Sequence, residues 1–267
     1  MERALAVRCL YGDHRWLFLN CANVPLLGHF RLWIYGIHHG DISLHNLMYD
    51  ILIETGDPVG IVNDFDLATW TDHPTPNNDP MGTIPYIAID LLRGELDRRD
   101  PRLYRHDLES FTWVLAYITI ADINYKGCAI TISPMSIVDP WFKDRTTGDR
   151  AAHVISKRSF HLEYDRRIVV PRYHRYFDTI REITKYWFDL HQSRVPKPQF
   201  LGPTRASTPK APVLREPEVD DPAGSLRLFI KAVGESLGET GTKEGFVEVK
   251  ALLDLAIEIG ATKDDVV

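Results

Sequence analysis

The chain has 267 residues, 44% of them apolar and 25% charged, an ordinary globular composition that excludes collagen-like, wholly disordered and disulfide-scaffold readings. Its formal net charge of −6 provides no basic field to condense on a phosphate backbone or an anionic membrane surface, so neither nucleic acid nor membrane is an expected partner. Cys9, Cys21 and Cys128 stand far apart without the paired spacing of a zinc site or disulfide framework, and read as buried thiols in a reducing compartment.

In chain order, the amino terminus is interrupted by Glu2, Arg3, Arg8 and Asp13, which is no secretory leader. Cytoplasm or nucleus is then the default location. Leu26, Leu27, Phe30, Trp33, Ile34 and Ile37 recur at helical spacing and predict an amphipathic helix ending at Gly36. A His-rich turn follows. Leu47-Met48-Tyr49 and Val59-Gly60-Ile61-Val62, separated by the turn-forming Glu54-Thr55-Gly56-Asp57-Pro58, predict two short strands. Asp72 to Pro80 has the composition of an exposed loop.

Asp107 to Ala121 is apolar on nearly every face beyond Ser110, the pattern of a helix surrounded by other elements. The stretch from about 122 to 171 shows no clear period, and Phe177, Ile180, Thr184, Trp187, Phe188 and His191 mark another amphipathic helix. Repeated prolines from 195 to 223 read as a semi-extended linker, which places the end of the folded body near Arg194. Two amphipathic segments, 226 to 237 and 246 to 259, give the tail from 224 to 267 a helical reading. The fold class expected is mainly α with short β-hairpins.

The chemistry concentrates in two stretches. Ile37-His38-His39-Gly40-Asp41-Ile42-Ser43-Leu44-His45-Asn46-Leu47-Met48 is followed, after the hairpin, by Ile61-Val62-Asn63-Asp64-Phe65-Asp66. Phosphoryl transfer from a nucleotide needs a carboxylate to accept the attacking hydroxyl's proton, and oxygen ligands to hold Mg²⁺ against the phosphates. An Asp, an Asn five residues later and an Asp-Phe at the end of a returning strand supply that set, with Asp41 as base and Asn46 and Asp64 as metal ligands. His38, His39 and His45 lack zinc spacing and suit a structural role better, His39 as a hydrogen-bonder and the other two as turn or surface residues.

These blocks, with Gly82-Thr83-Ile84-Pro85-Tyr86-Ile87-Ala88-Ile89-Asp90 and Tyr104-Arg105-His106-Asp107-Leu108-Glu109-Ser110-Phe111, resemble the protein-kinase fold, and their wording is most similar to the fungal-type protein kinase family. The resemblance covers about Ile37 to Ala121. It implies a kinase-like carboxy-terminal lobe over 1–194, ATP and Mg²⁺ as cofactors, and phosphoryl transfer to Ser or Thr of a protein. It also implies that Gly82 and Thr83 shape the acceptor loop and that Asp107 ties the central helix to the catalytic-loop backbone.

Departures from the pattern set the alternatives. Gly40 stands for arginine, Ser43 for a lysine, Asp66 for glycine and Ile89-Asp90 for Pro-Glu. No lysine precedes Lys126 and no Gly-x-Gly-x-x-Gly precedes Asp41, so the β-rich amino-terminal lobe is expected to be absent or truncated and transfer by this chain impaired. The second reading is therefore a non-catalytic pseudokinase whose tail recruits a docking partner. A third is a small-molecule phosphotransferase resembling the aminoglycoside and choline kinases, disfavoured by the acceptor loop.

Overall fold

A computed structural model describes residues 8–9, 26, 28–51, 58–71, 82–93, 102–120, 122–123, 130–131, 137–138, 141, 150–194 and 219–240. The described part is mainly helical. Helices α1 (28–34), α2 (Ile89–Arg93), α3 (Tyr104–Ile120), α4 (Arg150–Glu163), α5 (Phe177–Arg194) and α6 (Pro222–Thr240) carry most of it. Strands β1 (Arg8–Cys9), β2 (Ile37–His38), β3 (Leu47–Ile51), β4 (Pro58–Val62), β5 (Thr69–Trp70), β6 (Asp122–Ile123) and β7 (Ile130–Thr131) are short and pair antiparallel. None of the described helices is long and apolar enough to cross a membrane.

The predicted hairpin forms as β3 and β4, with Leu47 opposite Val62 and Tyr49 opposite Gly60, while β1 adds to the other edge of β3. This hairpin separates the two chemistry-bearing stretches in sequence and brings their ends together in space. The bond from Asn63 N–H to the Asn46 carbonyl extends the ladder beyond β4 at 2.8 Å.

Helix α3 is the central element expected from its composition. Every residue from Tyr104 to Ile120 is buried, including Asp107 and Glu109. It packs against α5 and α6, and α4 packs against α2 and α5. Trp113, Trp141, Phe160, Tyr164 and Trp187 fill the space between them, with Trp113 edge-on to Trp141 at 5.4 Å. Fully burying side chains of this size removes on the order of 150–250 Å² each from water, which makes each of them a large contributor to the core.

Three expectations are corrected. The stretch 122–171 holds a two-strand ladder and a four-turn helix, α4, which has buried His153 and Lys157 among Val154 and Phe160. Two polar residues on the inward stripe hide its apolar period. The body does not stop at Arg194: Leu226, Phe229 and Ile230 of α6 lie in the same core as α3 and α5. Asp220, just before α6, fixes the join by accepting the Tyr104 N–H at 3.0 Å and the Trp33 indole N–H at 2.7 Å. His38 is also more than a surface residue, since its ring stacks on Trp33 at 3.7 Å. The loop at 72–80, the segment 246–259 and the surroundings of the three cysteines lie outside the described residues or side chains.

Candidate active site

The turn after β2 is shaped by Gly40, whose φ of +83° belongs to the left-handed region. A Cβ there would meet the Leu67 carbonyl oxygen at 2.8 Å, so this backbone has no place for the arginine of the family pattern. The turn presents Asp41. Its Oδ1 accepts the Thr83 N–H at 2.7 Å, and its Oδ2 accepts Asn46 Nδ2 at 3.1 Å. Asn46 Nδ2 also donates to the Asp41 carbonyl at 2.9 Å. A carboxylate held from two sides keeps one orientation, the pre-organisation expected of a group that must meet an incoming hydroxyl.

His39 supports the turn from beneath. It is buried; its Nδ1 accepts the Asp41 N–H at 3.2 Å and its Nε2 donates to the Asn63 carbonyl at 3.0 Å. Only the neutral ring with its proton on Nε2 satisfies both bonds, and burial, partly offset by the Asn63 carbonyl, lowers its pKa in keeping with that state. Phe65 packs edge-on against the same ring at 4.8 Å.

Asp64 follows Asn63 directly, exposed, with a φ of +65° that is unusual for a residue other than glycine. Asn63 is bonded to both Asn46 and His39, so the end of β4 is tied to the 39–46 loop at two points. No hydrogen bond joins the Asp64 side chain to Asp41 or Asn46.

The donors suit a hard cation. Because Asn46 Nδ2 faces the two Asp41 oxygens, its Oδ1 must point the other way, where it makes no hydrogen bond among the described residues. The Asp64 carboxylate is likewise uncommitted among them. An amide oxygen and one carboxylate, completed by phosphate and water, fit Mg²⁺ chemistry. No three His, Cys, Asp or Glu side chains among the described residues gather into a metal cluster.

The acceptor loop enters through Gly82, with φ +131°, where a Cβ would lie 3.1 Å from the Gly40 carbonyl oxygen. Small size at this position lets Thr83 reach Asp41. At the far end, Asp90 finds the partners that sequence left open: Arg105 Nη2 donates to one carboxylate oxygen at 2.8 Å and His191 Nδ1 to the other at 3.0 Å. The second nitrogen of His191 donates to Glu109 Oε2 at 3.0 Å, and Glu109 Oε1 accepts the Ile89 N–H at 3.0 Å. His191 donates through both nitrogens and is therefore an imidazolium. Burial opposes that charge, but Glu109 and the bond to Asp90 outweigh it and raise the pKa to about 9.

Asp107 takes a different partner set from the one expected. Its carboxylate accepts His29 Nε2 at 2.8 Å and the Arg102 guanidinium at 2.9 and 2.6 Å, so it joins α3 to α1 rather than to the catalytic-loop backbone. Burial raises its pKa, but the Arg102 charge and the His29 bond overcome this and hold it well below the carboxylate range. Of the sequence candidates, His39, Asp41, Asn46 and Thr83 share one hydrogen-bonded cluster, and Gly82 packs beside it against the Gly40 carbonyl. Asp64 borders it, and Asp107 lies behind it. Arg105, Glu109 and His191 were missed; His191 on the inward stripe of an amphipathic helix was the one available signal.

Residues 18–119 match the family model described as fungal protein kinase. Over that segment, well under half of its length, the chain is similar to the fungal protein kinase family. No curated protein matches the chain. The match spans α1, the hairpin, the 82–90 loop and nearly all of α3, so the residues around Asp41 all fall within the matched segment.

Proposed function

We propose that this chain is a fungal-type protein kinase, built as a carboxy-terminal catalytic lobe that transfers the γ-phosphoryl group of ATP to a Ser or Thr hydroxyl of a protein. The observation carrying this reading is the two-sided restraint of Asp41 by the acceptor loop and by Asn46. Asp41 accepts the proton of the attacking hydroxyl, and its anchored carboxylate removes the need to order it during the reaction. Thr83, whose N–H bonds Asp41, places the acceptor loop directly beside the base. Asn46 and Asp64 are the residues that would hold Mg²⁺, which when bound neutralises phosphate charge. The family pattern supports the same assignment.

A mixture of radiolabelled ATP, Mg²⁺ and a Ser/Thr peptide panel tests the reading, with Asp41→Asn as the control. General-base loss lowers transfer by roughly 10²–10⁴-fold. Equal signal from both proteins would sink the assignment.

The docking reading has one observation in its favour: no lysine precedes Lys126, so residues upstream of the catalytic loop supply no phosphate-pairing ammonium within this sequence. Peptide binding without nucleotide, combined with no transfer, supports it.

A further inference from the structure

Behind the acceptor loop lies a buried cation that the phosphoryl chemistry does not use. Lys157, on the inner face of α4, is 2% exposed. Its ammonium donates to the Ile87 carbonyl and sits over the rings of Trp113 and Trp141, 5.1 and 5.7 Å from their centroids. Burying an ammonium is costly, and methionine would fill the same space without that cost, so the charge is explained by what it holds. What it holds is main chain of the acceptor loop.

We propose that Lys157 is a positioning residue that fixes the acceptor loop from behind, at Ile87, while Asp41 holds the loop's front at Thr83. The name acceptor loop rests on the kinase reading; the strut itself does not. Between these two points the loop has little freedom, because Glu109 also takes the Ile89 N–H and Asp90 is clamped by Arg105 and His191. Rigid placement of the residues beside a base governs whether a peptide hydroxyl arrives in line. An apolar side chain at 157 would keep the core filled and release the loop.

The strut is also sensitive to protonation. The charged groups of the neighbouring elements form one network around it, Asp90 on α2, Arg105 and Glu109 on α3 and His191 on α5, with His153 and His161 one turn to either side on α4 itself. Burial lowers the Lys157 pKa, offset only in part by Glu109, to about 7. His191 remains charged across neutrality, so between roughly pH 6 and 8 the Asp90–His191–Glu109 bridge keeps its charge while Lys157 loses its own.

Hydrogen exchange of the full chain, corrected for intrinsic rates, tests this at pH 6 to 8. In Lys157→Met the amides of 83–89 are expected to exchange about tenfold faster or more, with those of α3 unchanged. In the natural sequence the same loop amides speed up relative to α3 as pH passes about 7, and the variant shows no such trend. Unchanged loop exchange in the variant overturns the proposal. Should the variant fail to fold, a pH-insensitive loop in the natural sequence overturns it equally. Where transfer is measurable, KM for the peptide rises several-fold in the variant and KM for ATP does not. Absence of transfer in the natural protein counts against the kinase reading alone, and the exchange data still decide the strut.

Discussion

Replacing His191 by Gln retains approximate volume and one donor but removes the charge that bridges Asp90 and Glu109. The ring's pKa is raised from 6.5 to about 9, a difference of about 2.5 units. At about 1.36 kcal/mol per unit, this is on the order of 3 kcal/mol of stability. A comparable figure, about 3–5 kcal/mol, is the usual cost of breaking a buried ion pair. Because the folded pKa lies above the unfolded one, the contribution is fully present below about pH 6.5 and is lost as pH rises through about 9. Lys157 trends the opposite way, since its lowered pKa makes the folded state gain stability from about pH 7 upward, but that trend is shared by both proteins. Urea unfolding at a series of pH values is the assay. The gap between natural and variant proteins should be on the order of 3 kcal/mol near pH 6 and small by about pH 10. A gap that is constant with pH, or below about 1 kcal/mol at pH 6, would refute the charged bridge.

Thr83→Pro isolates the restraint on Asp41. Thr83 has φ −78°, ψ 108°, which proline adopts, but the ring Cδ takes the place of the hydrogen on which Asp41 Oδ1 sits, so the carboxylate loses its donor and is pushed out of position; transfer should fall about tenfold or more in the peptide assay, with helical circular dichroism retained. Gly40→Ala forces a side chain into left-handed backbone against the Leu67 carbonyl, at a cost of roughly 1–2 kcal/mol or more, measurable as a lowered unfolding midpoint. Asp220→Ala strips the acceptor from the Trp33 indole and the Tyr104 amide, and should cost about 1–3 kcal/mol and increase proteolysis before α6. An unchanged midpoint would separate α6 from the body.

The hairpin was legible because Glu54 to Pro58 punctuates two apolar runs, and α3 because a continuous apolar run of helical length has to be surrounded. Helix α4 was hidden by the residues that make it interesting: His153 and Lys157 occupy inward positions that periodicity assigns to apolar side chains. The spacing from Asp41 to Asn46 is local, and one turn brings the two side chains into contact. The bond from Thr83 to Asp41 spans 42 residues and the bridge from His191 to Asp90 spans 101, so both depend on tertiary packing that no short motif encodes. Asp107 shows the reverse failure. The family pattern gave it one partner, and the folded chain supplies His29 and Arg102 instead.

The unity of the site is tested most directly by thermal unfolding with and without millimolar ATP and Mg²⁺, in the natural sequence and in Asp64→Ala and Asn46→Leu. Ligand at ten times its dissociation constant stabilises the folded state by about 1.4 kcal/mol. A midpoint that rises in the natural protein and in neither variant is the expected result. A flat response in the natural protein, or an equal rise in all three, would contradict the assignment of Asn46 and Asp64 to one cation.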